Sequence, residues 1–150
     1  MDLKSTGIPG YNLVSQFSRA HHDYGGVAMY QREDIDIGLE LATSNHSEEL
    51  VCELAATTFR IGSSKLSIIG IYRPPQGNLD EALNALSQLI EELQPHNHKL
   101  IITGDINVNS LIPNKSNTRL METLALHDIT RSNLPATRIT HISSTSIDCI

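Results

Sequence analysis

The sequence predicts an α/β protein forming a single domain over residues 1–150, and three stretches carry that prediction. Residues 100–103, Leu-Ile-Ile-Thr, run without a charge and combine apolar with β-branched side chains, the pattern of a short strand covered on both faces and therefore central to a sheet. Residues 79–93 place apolar side chains at Leu79, Ala82, Leu83, Leu86, Leu89, Ile90 and Leu93, a stripe of helical period. Two strand-like runs, residues 51–59 and 66–72, flank Ile61-Gly62-Ser63-Ser64-Lys65, a glycine-containing connection of hairpin length.

In chain order, Ile8-Pro9-Gly10-Tyr11 signals a turn, and residues 12–17 alternate loosely, as an edge strand does. His21-His22-Asp23-Tyr24-Gly25-Gly26 is a polar loop. Its paired histidines read as solvated rather than metal-binding, because adjacent loop residues seldom face one ion together. A short strand follows over residues 26–30. Ile35, Ile37, Leu39 and Leu41 then alternate with period two, which predicts a strand over residues 35–41. After Tyr72, Arg73-Pro74-Pro75 ends any strand pairing, since consecutive prolines offer no N–H.

Asn78 and Glu81 stand in capping-box positions before the leucine stripe, and Pro95 stops the helix. Burying that stripe releases a gross ~10 kcal/mol, more than propensity gives an isolated helix, so the helix must dock. Strand, helix and strand across residues 66–103 make a βαβ unit with parallel strands. Tyr72 and Arg73 then share a sheet edge with Asp105 and Asn107, the edge where such sheets bind ligands. A second helix spans about residues 116–127, with Leu120, Met121, Leu124 and Ala125 inward. A strand over 137–142, a turn over 143–145 and a last strand over 146–150 complete the chain.

The formal net charge of −6, from 11 Lys+Arg against 17 Asp+Glu, excludes a protein that grips nucleic acid through a basic surface of its own. Three options stay open: a partner other than nucleic acid, a local metal-assisted contact, or a basic surface on other sequence. The first residues lack a signal-peptide core, and no uncharged apolar run approaches membrane-spanning length, which predicts an intracellular protein of nucleus or cytoplasm without membrane contact. Cys52 and Cys149 sit in apolar runs and read as reduced, buried thiols. Asp105 and Asn107 follow Gly104 at spacing two and point the same way if the strand continues, although Gly, Asp and Asn are turn formers too. Asp148, a lone carboxylate in an apolar strand, must be exposed or partnered.

The order and spacing of Gly25-Gly26-Val27-Ala28-Met29-Tyr30, Tyr72-Arg73-Pro74-Pro75, Gly104-Asp105-Ile106-Asn107, Ala136-Thr137-Arg138 and Ser146-Ile147-Asp148 resemble the endonuclease/exonuclease/phosphatase superfamily. Within it, they look like the apurinic-endonuclease-like domain of non-LTR retrotransposons, which precedes a reverse transcriptase. The resemblance implies a four-layered α/β sandwich, two mixed β-sheets flanked by helices, here incomplete at both ends. It implies hydrolysis of a DNA phosphodiester with Mg2+ or Mn2+. Asp105 would orient or deprotonate the attacking water, Asn107 would hold the phosphate or the developing negative charge, and Tyr72 would contact the scissile phosphate with Arg73 beside it as an anion contact. Thr137 and Arg138 would lie near the substrate strand, and Asp148 would orient a catalytic histidine.

The family's metal-binding glutamate falls upstream of the segment matched by Ile8, and its Ser-Asp-His motif falls after Asp148, so the chain matches the middle of such a domain. Asp105 is the one residue here that could hold the metal. Two functions follow from the resemblance: a fragment of a retrotransposon-type endonuclease, inactive alone, or a catalytically inactive remnant acting, if at all, as a binding module. A phosphatase for lipid or sugar phosphates is a third possibility within the superfamily, disfavoured by Tyr72-Arg73-Pro74-Pro75.

Overall fold

A computed structural model describes residues 7–93 and 98–149. Its elements are β1 (Tyr11–Phe17), β2 (Val27–Arg32), β3 (Gly38–Thr43), β4 (Glu53–Ile61), β5 (Ser64–Tyr72), α1 (Leu79–Leu93), β6 (His98–Asp105), α2 (Lys115–Leu126), β7 (Arg138–Ile139), β8 (Ser144–Thr145) and β9 (Asp148–Cys149). The central sheet has the order β3-β4-β5-β6-β9, while β1-β2 and β7-β8 are separate antiparallel pairs.

The leucine stripe explains how this sheet is held. Ala82, Leu83, Leu86, Leu89, Ile90 and Leu93 of α1 are all buried, against Leu54 and Ala56 of β4, Ile69 and Ile71 of β5 and Ile102 of β6. Asn78 caps the helix: its Oδ1 accepts from the N–H of Asp80 at 3.0 Å and of Glu81 at 3.3 Å, and its Nδ2 donates to Glu81 at 3.0 Å. Because α1 carries the chain back across the sheet, β5 and β6 run parallel, in register from Lys65 opposite His98 to Tyr72 opposite Asp105. Pro95 lies outside the described residues.

The β1-β2 pair covers the opposite face of the sheet. A Cβ on Gly70 would lie 2.7 Å from Cγ1 of Val27, so the absence of a side chain there is what lets β2 lie against β5. Helices on one face and a second sheet on the other give the α/β sandwich of mixed sheets. No described helix is long and apolar enough to cross a membrane.

Three elements depart from the sequence expectation. The strand expected over residues 35–41 is Gly38–Thr43, with Leu39 and Leu41 still 43% and 40% exposed. It is an edge strand, and a register shift against β4 between Leu39 and Leu41 breaks the one-face alternation. The strand expected over 137–142 shrinks to Arg138–Ile139, because the Thr140 hydroxyl accepts from the N–H of Ser143 at 3.0 Å and turns the chain into β8. In α2, Leu120 and Leu124 are buried, but Met121 is 40% exposed and Ala125 is exposed, so neither faces inward.

Leu86→Ala is expected to lower stability by about 2–5 kcal/mol, whereas Gln88→Ala on the exposed face changes it by less than about 0.5 kcal/mol. Denaturant midpoints check this, and equal shifts for the two variants would contradict the packing.

Candidate active site

Register places the site. Glu53 of β4 lies opposite Tyr72 of β5, Tyr72 opposite Asp105 of β6, and Asp105 opposite Asp148 of β9. Directly opposed residues share a face, so these four side chains form one row across four strands. Ile71, next to Tyr72, faces the helices, which turns the row toward the other face, at the carboxyl ends of β5 and β6. Gly104 is needed for this approach: its φ is +132°, and a Cβ there would lie 2.0 Å from the carbonyl oxygen of Ile71.

The extended conformation does not continue from Asp105 to Asn107. Asn107 has φ +54°, and its N–H donates to Oδ1 of Asp105 at 3.0 Å, closing a tight turn of the kind Asp and Asn favour. Its Nδ2 donates to the carbonyl of Arg73 at 2.8 Å, which links the ends of β5 and β6. Arg73 is 5% exposed, and its guanidinium donates to the carbonyls of Ile106 at 2.8 Å, Gly77 at 2.5 Å and Asn107 at 2.9 Å. Burial pulls its pKa below the usual arginine value, with Cys52 and Asp105 opposing. Arg73 is thus a clamp on the Asp105–Asn107 turn.

Asp148 is half-buried and held by backbone stitching. The N–H of Ile106 donates to Ile147 at 3.2 Å and that of Ser110 to Ser146 at 2.9 Å, and Nη2 of Arg131 donates to the carbonyls of Asp148 at 2.9 Å and Val108 at 3.0 Å. Burial raises the pKa of Asp105, and the neighbouring Asp148 charge raises it further; the hydrogen bonds from Asn107 and the charge of Arg138 oppose this. Arg138 is therefore within the electrostatic reach of Asp105. Thr137 sits at the mouth of the β7-β8 hairpin, its hydroxyl accepting from the N–H of Ile147 at 3.4 Å.

Glu53, Arg19 and Arg131 escaped the sequence reading. Glu53 has no exposed surface, and its carboxylate accepts from Nε of Arg19 at 2.6 Å, from the N–H of Leu50 at 3.4 Å and from the N–H of Gly26. The Arg19 guanidinium also stands 5.9 Å from the centre of the Tyr72 ring, within cation–π range. Glu53 carries the same signal as Asp148, one charge inside an apolar run; Arg19 and Arg131 carry none. His127 caps the carboxyl end of α2, and His141 is exposed. Among the described residues no three His, Cys, Asp or Glu side chains cluster as a metal cage. Asp105 and Asp148, two carboxylates at adjoining register positions with the charge of one disfavoured by the other, still fit part of the ligand set of Mg2+ or Mn2+, ions that keep several waters.

Because the native state raises the Asp105 pKa above 3.8, ionised Asp105 is a native-state cost that appears as pH rises through the raised value. Asp105→Asn is therefore expected to stabilise the protein more at pH 7 than at pH 4.5 in denaturant melts; a gain independent of pH would contradict this. Glu53→Ala leaves Arg19 buried without its partner and should cost about 3–5 kcal/mol. Asp34→Ala, which breaks the exposed pair with Arg32 at 2.6 Å, should cost under about 1 kcal/mol in the same measurement.

Residues 66–150, more than half of the chain, match the family described as Endonuclease-reverse transcriptase. No curated protein sequence matches. The endonuclease domain of TRAS1, a telomere-specific non-LTR retrotransposon, superposes with a TM-score of 0.71 at 17% identity, covering 95% of this chain and 66% of that one. TDP2 of D. rerio, complexed with a single-stranded DNA product, gives 0.58 at 10% identity, covering 93% and 60%. A mannosyl-6-phosphatase of Bacteroides thetaiotaomicron gives 0.58 at 17% identity, covering 95% and 62%. Such identities show a shared fold, and the chain spans 60–66% of the length of these structures. The sequence match and the fold together place the chain in the endonuclease–reverse transcriptase family of the endonuclease/exonuclease/phosphatase superfamily.

Proposed function

We propose that the chain is the central part of a metal-dependent DNA endonuclease, hydrolysing a phosphodiester in a retrotransposon-type protein that also carries a reverse transcriptase. The observation that supports this most is the row of Tyr72, Asp105 and Asp148 at one sheet edge. In this reading Asp105 orients the attacking water and takes its proton, and burial with the neighbouring Asp148 charge makes its carboxylate more basic than an ordinary one. The Asn107 side chain is anchored through Nδ2 to the Arg73 carbonyl, and its backbone N–H holds the Asp105 carboxylate. The Tyr72 phenol contacts the scissile phosphate, and Arg138 with Thr137 meets the substrate strand, where a cation within reach of Asp105 offsets phosphate charge.

A divalent ion, Mg2+ or Mn2+, would be held by Asp105 and would supply Lewis-acid activation of water and charge for the phosphate. Asp148 deepens the negative field that attracts the ion and orients a histidine supplied from outside these residues. Such groups act as a unit, so their separation costs orders of magnitude in rate. The net charge of −6 fits a contact made locally through metal and a few cations rather than a basic surface.

Two measurements test this. Titration with Mn2+ should broaden the amide resonances of Asp105, Asn107 and Asp148 first, and Asp105→Ala should abolish that broadening; broadening confined to other acidic surfaces would remove the site. The 150-residue chain alone should nick supercoiled plasmid no faster than background with Mg2+ or Mn2+. Nicking lost in Asp105→Ala would show instead that these residues suffice.

A further inference from the structure

Register fixes the backbone of Tyr72 at the sheet edge, but its half-buried side chain is held by something else. Among the described residues, no hydrogen-bond partner reaches the phenol oxygen, and the directional contact on the ring is the Arg19 guanidinium, 5.9 Å from its centre. The Arg19 side chain is 8% exposed, so this contact is made largely out of water, where a cation over a ring binds it most firmly. The connection between β1 and β2 is built around that guanidinium. Nε donates to Oε1 of Glu53 at 2.6 Å, and Nη1 donates to the carbonyl of Asp23 at 3.4 Å. Glu53 also accepts from the N–H of Gly26, while Glu49 accepts from the N–H groups of Ala20 and His21 and from Nδ1 of His22, the last at 2.7 Å. Both ends of the connection are thereby tied to residues 49–53. At Gly25 an added Cβ would lie 2.5 Å from Cζ of Arg19, so a side chain there would push the guanidinium off the Tyr72 ring.

We propose that Arg19 is a positioning residue for Tyr72, held by Glu53 and by the space at Gly25 so that the ring keeps one orientation at the sheet edge. The proposal rests on the reading of Tyr72 as the phosphate contact and adds what aims it. A phenol that must meet one phosphate oxygen gains when its rotamers are reduced before the substrate arrives, because less freedom is then lost on binding. The chemistry asks for arginine rather than for any cation. A lysine carries one compact ammonium, which the Glu53 carboxylate would take; the planar fork of arginine gives Nε to Glu53 and keeps the rest of the guanidinium for the Asp23 carbonyl and the ring.

The test uses the full chain, isotope-labelled, in which three-bond NMR couplings from Cγ of each tyrosine to its own backbone nitrogen and carbonyl carbon report the χ1 rotamer. Tyr72 should hold a single rotamer in the native chain and average between rotamers in Arg19→Lys, with the couplings of Tyr30 unchanged. A double variant, Arg19→Gln with Glu53→Gln, replaces the ion pair by a neutral hydrogen-bonded pair and should release Tyr72 in the same way, which decides the matter if Arg19→Lys does not fold. An arginine that merely balances Glu53 would be replaced by lysine with Tyr72 still locked; a single Tyr72 rotamer in the folded variant would overturn the proposal, and so would averaging already present in the native chain. The phosphate contact is read separately, by titration with thymidylyl-thymidine, which carries a single phosphodiester. It should shift the Tyr72 ring signals of the native chain and bind Arg19→Lys about threefold more weakly or worse. A locked native Tyr72 that is released in the variants but does not respond to thymidylyl-thymidine would remove the phosphate contact and uphold the positioning of the ring.

Discussion

The parallel ladder between β5 and β6 is the constraint on which the rest depends. It exists because the leucine face of α1 can be buried only by lying across the sheet, and a helix lying across the sheet returns the chain in the same direction. Once β5 and β6 are parallel, both end at one edge, and the Tyr72–Asp105 pairing follows from register. The antiparallel neighbours β4 and β9 extend that line to Glu53 and Asp148. A slip of one residue anywhere in the ladder would turn the row into the helix layer and bring Ile71 out in its place.

The two ends of the row solve the problem of buried charge in opposite ways. Glu53 is matched by Arg19 and by two backbone N–H groups, so its charge is balanced and its position rigid. At the other end Asp105 and Asp148 face each other, and burial and repulsion both oppose ionisation of Asp105. The balanced pair stiffens the ground on which Tyr72 stands, through the Arg19 guanidinium near its ring. The unbalanced pair concentrates negative charge at this end of the row, with Arg138 within electrostatic reach. Sites that bind cations are built in this way, with stability given up where charge must remain available.

The fold was legible wherever one period dominated a long segment. The stripe of α1, its Asn78 cap and the parallel strands on either side were all readable because burial and local capping favour the same structure. Residues 35–41 misled for a physical reason: an edge strand with a bulge exposes both faces, so alternation there does not report a core. At the site, the residues at one sheet edge were readable from topology, but the turn between Asp105 and Asn107 was not, because it is settled by hydrogen bonds to Arg73 and Asp105 themselves. The burial of Arg73 is likewise a tertiary fact, since its three acceptors are carbonyls of residues 77, 106 and 107. Glu53 was legible in principle and Arg131 was not, as its partners lie 15–23 positions away in sequence.

The left-handed backbone at Asn107 joins two requirements at one position, a φ of +54° and a side-chain amide. Glycine meets the first alone, aspartate meets the first and exchanges the amide for a charge, and alanine or a β-branched residue meets neither. Substitutions at this single position therefore form a graded series that separates architecture from chemistry: a glycine variant keeps the turn while deleting the amide. The residues that evolution can sample here without unfolding the turn are few, so selection on shape alone already narrows this position to a small alphabet before any chemistry is selected.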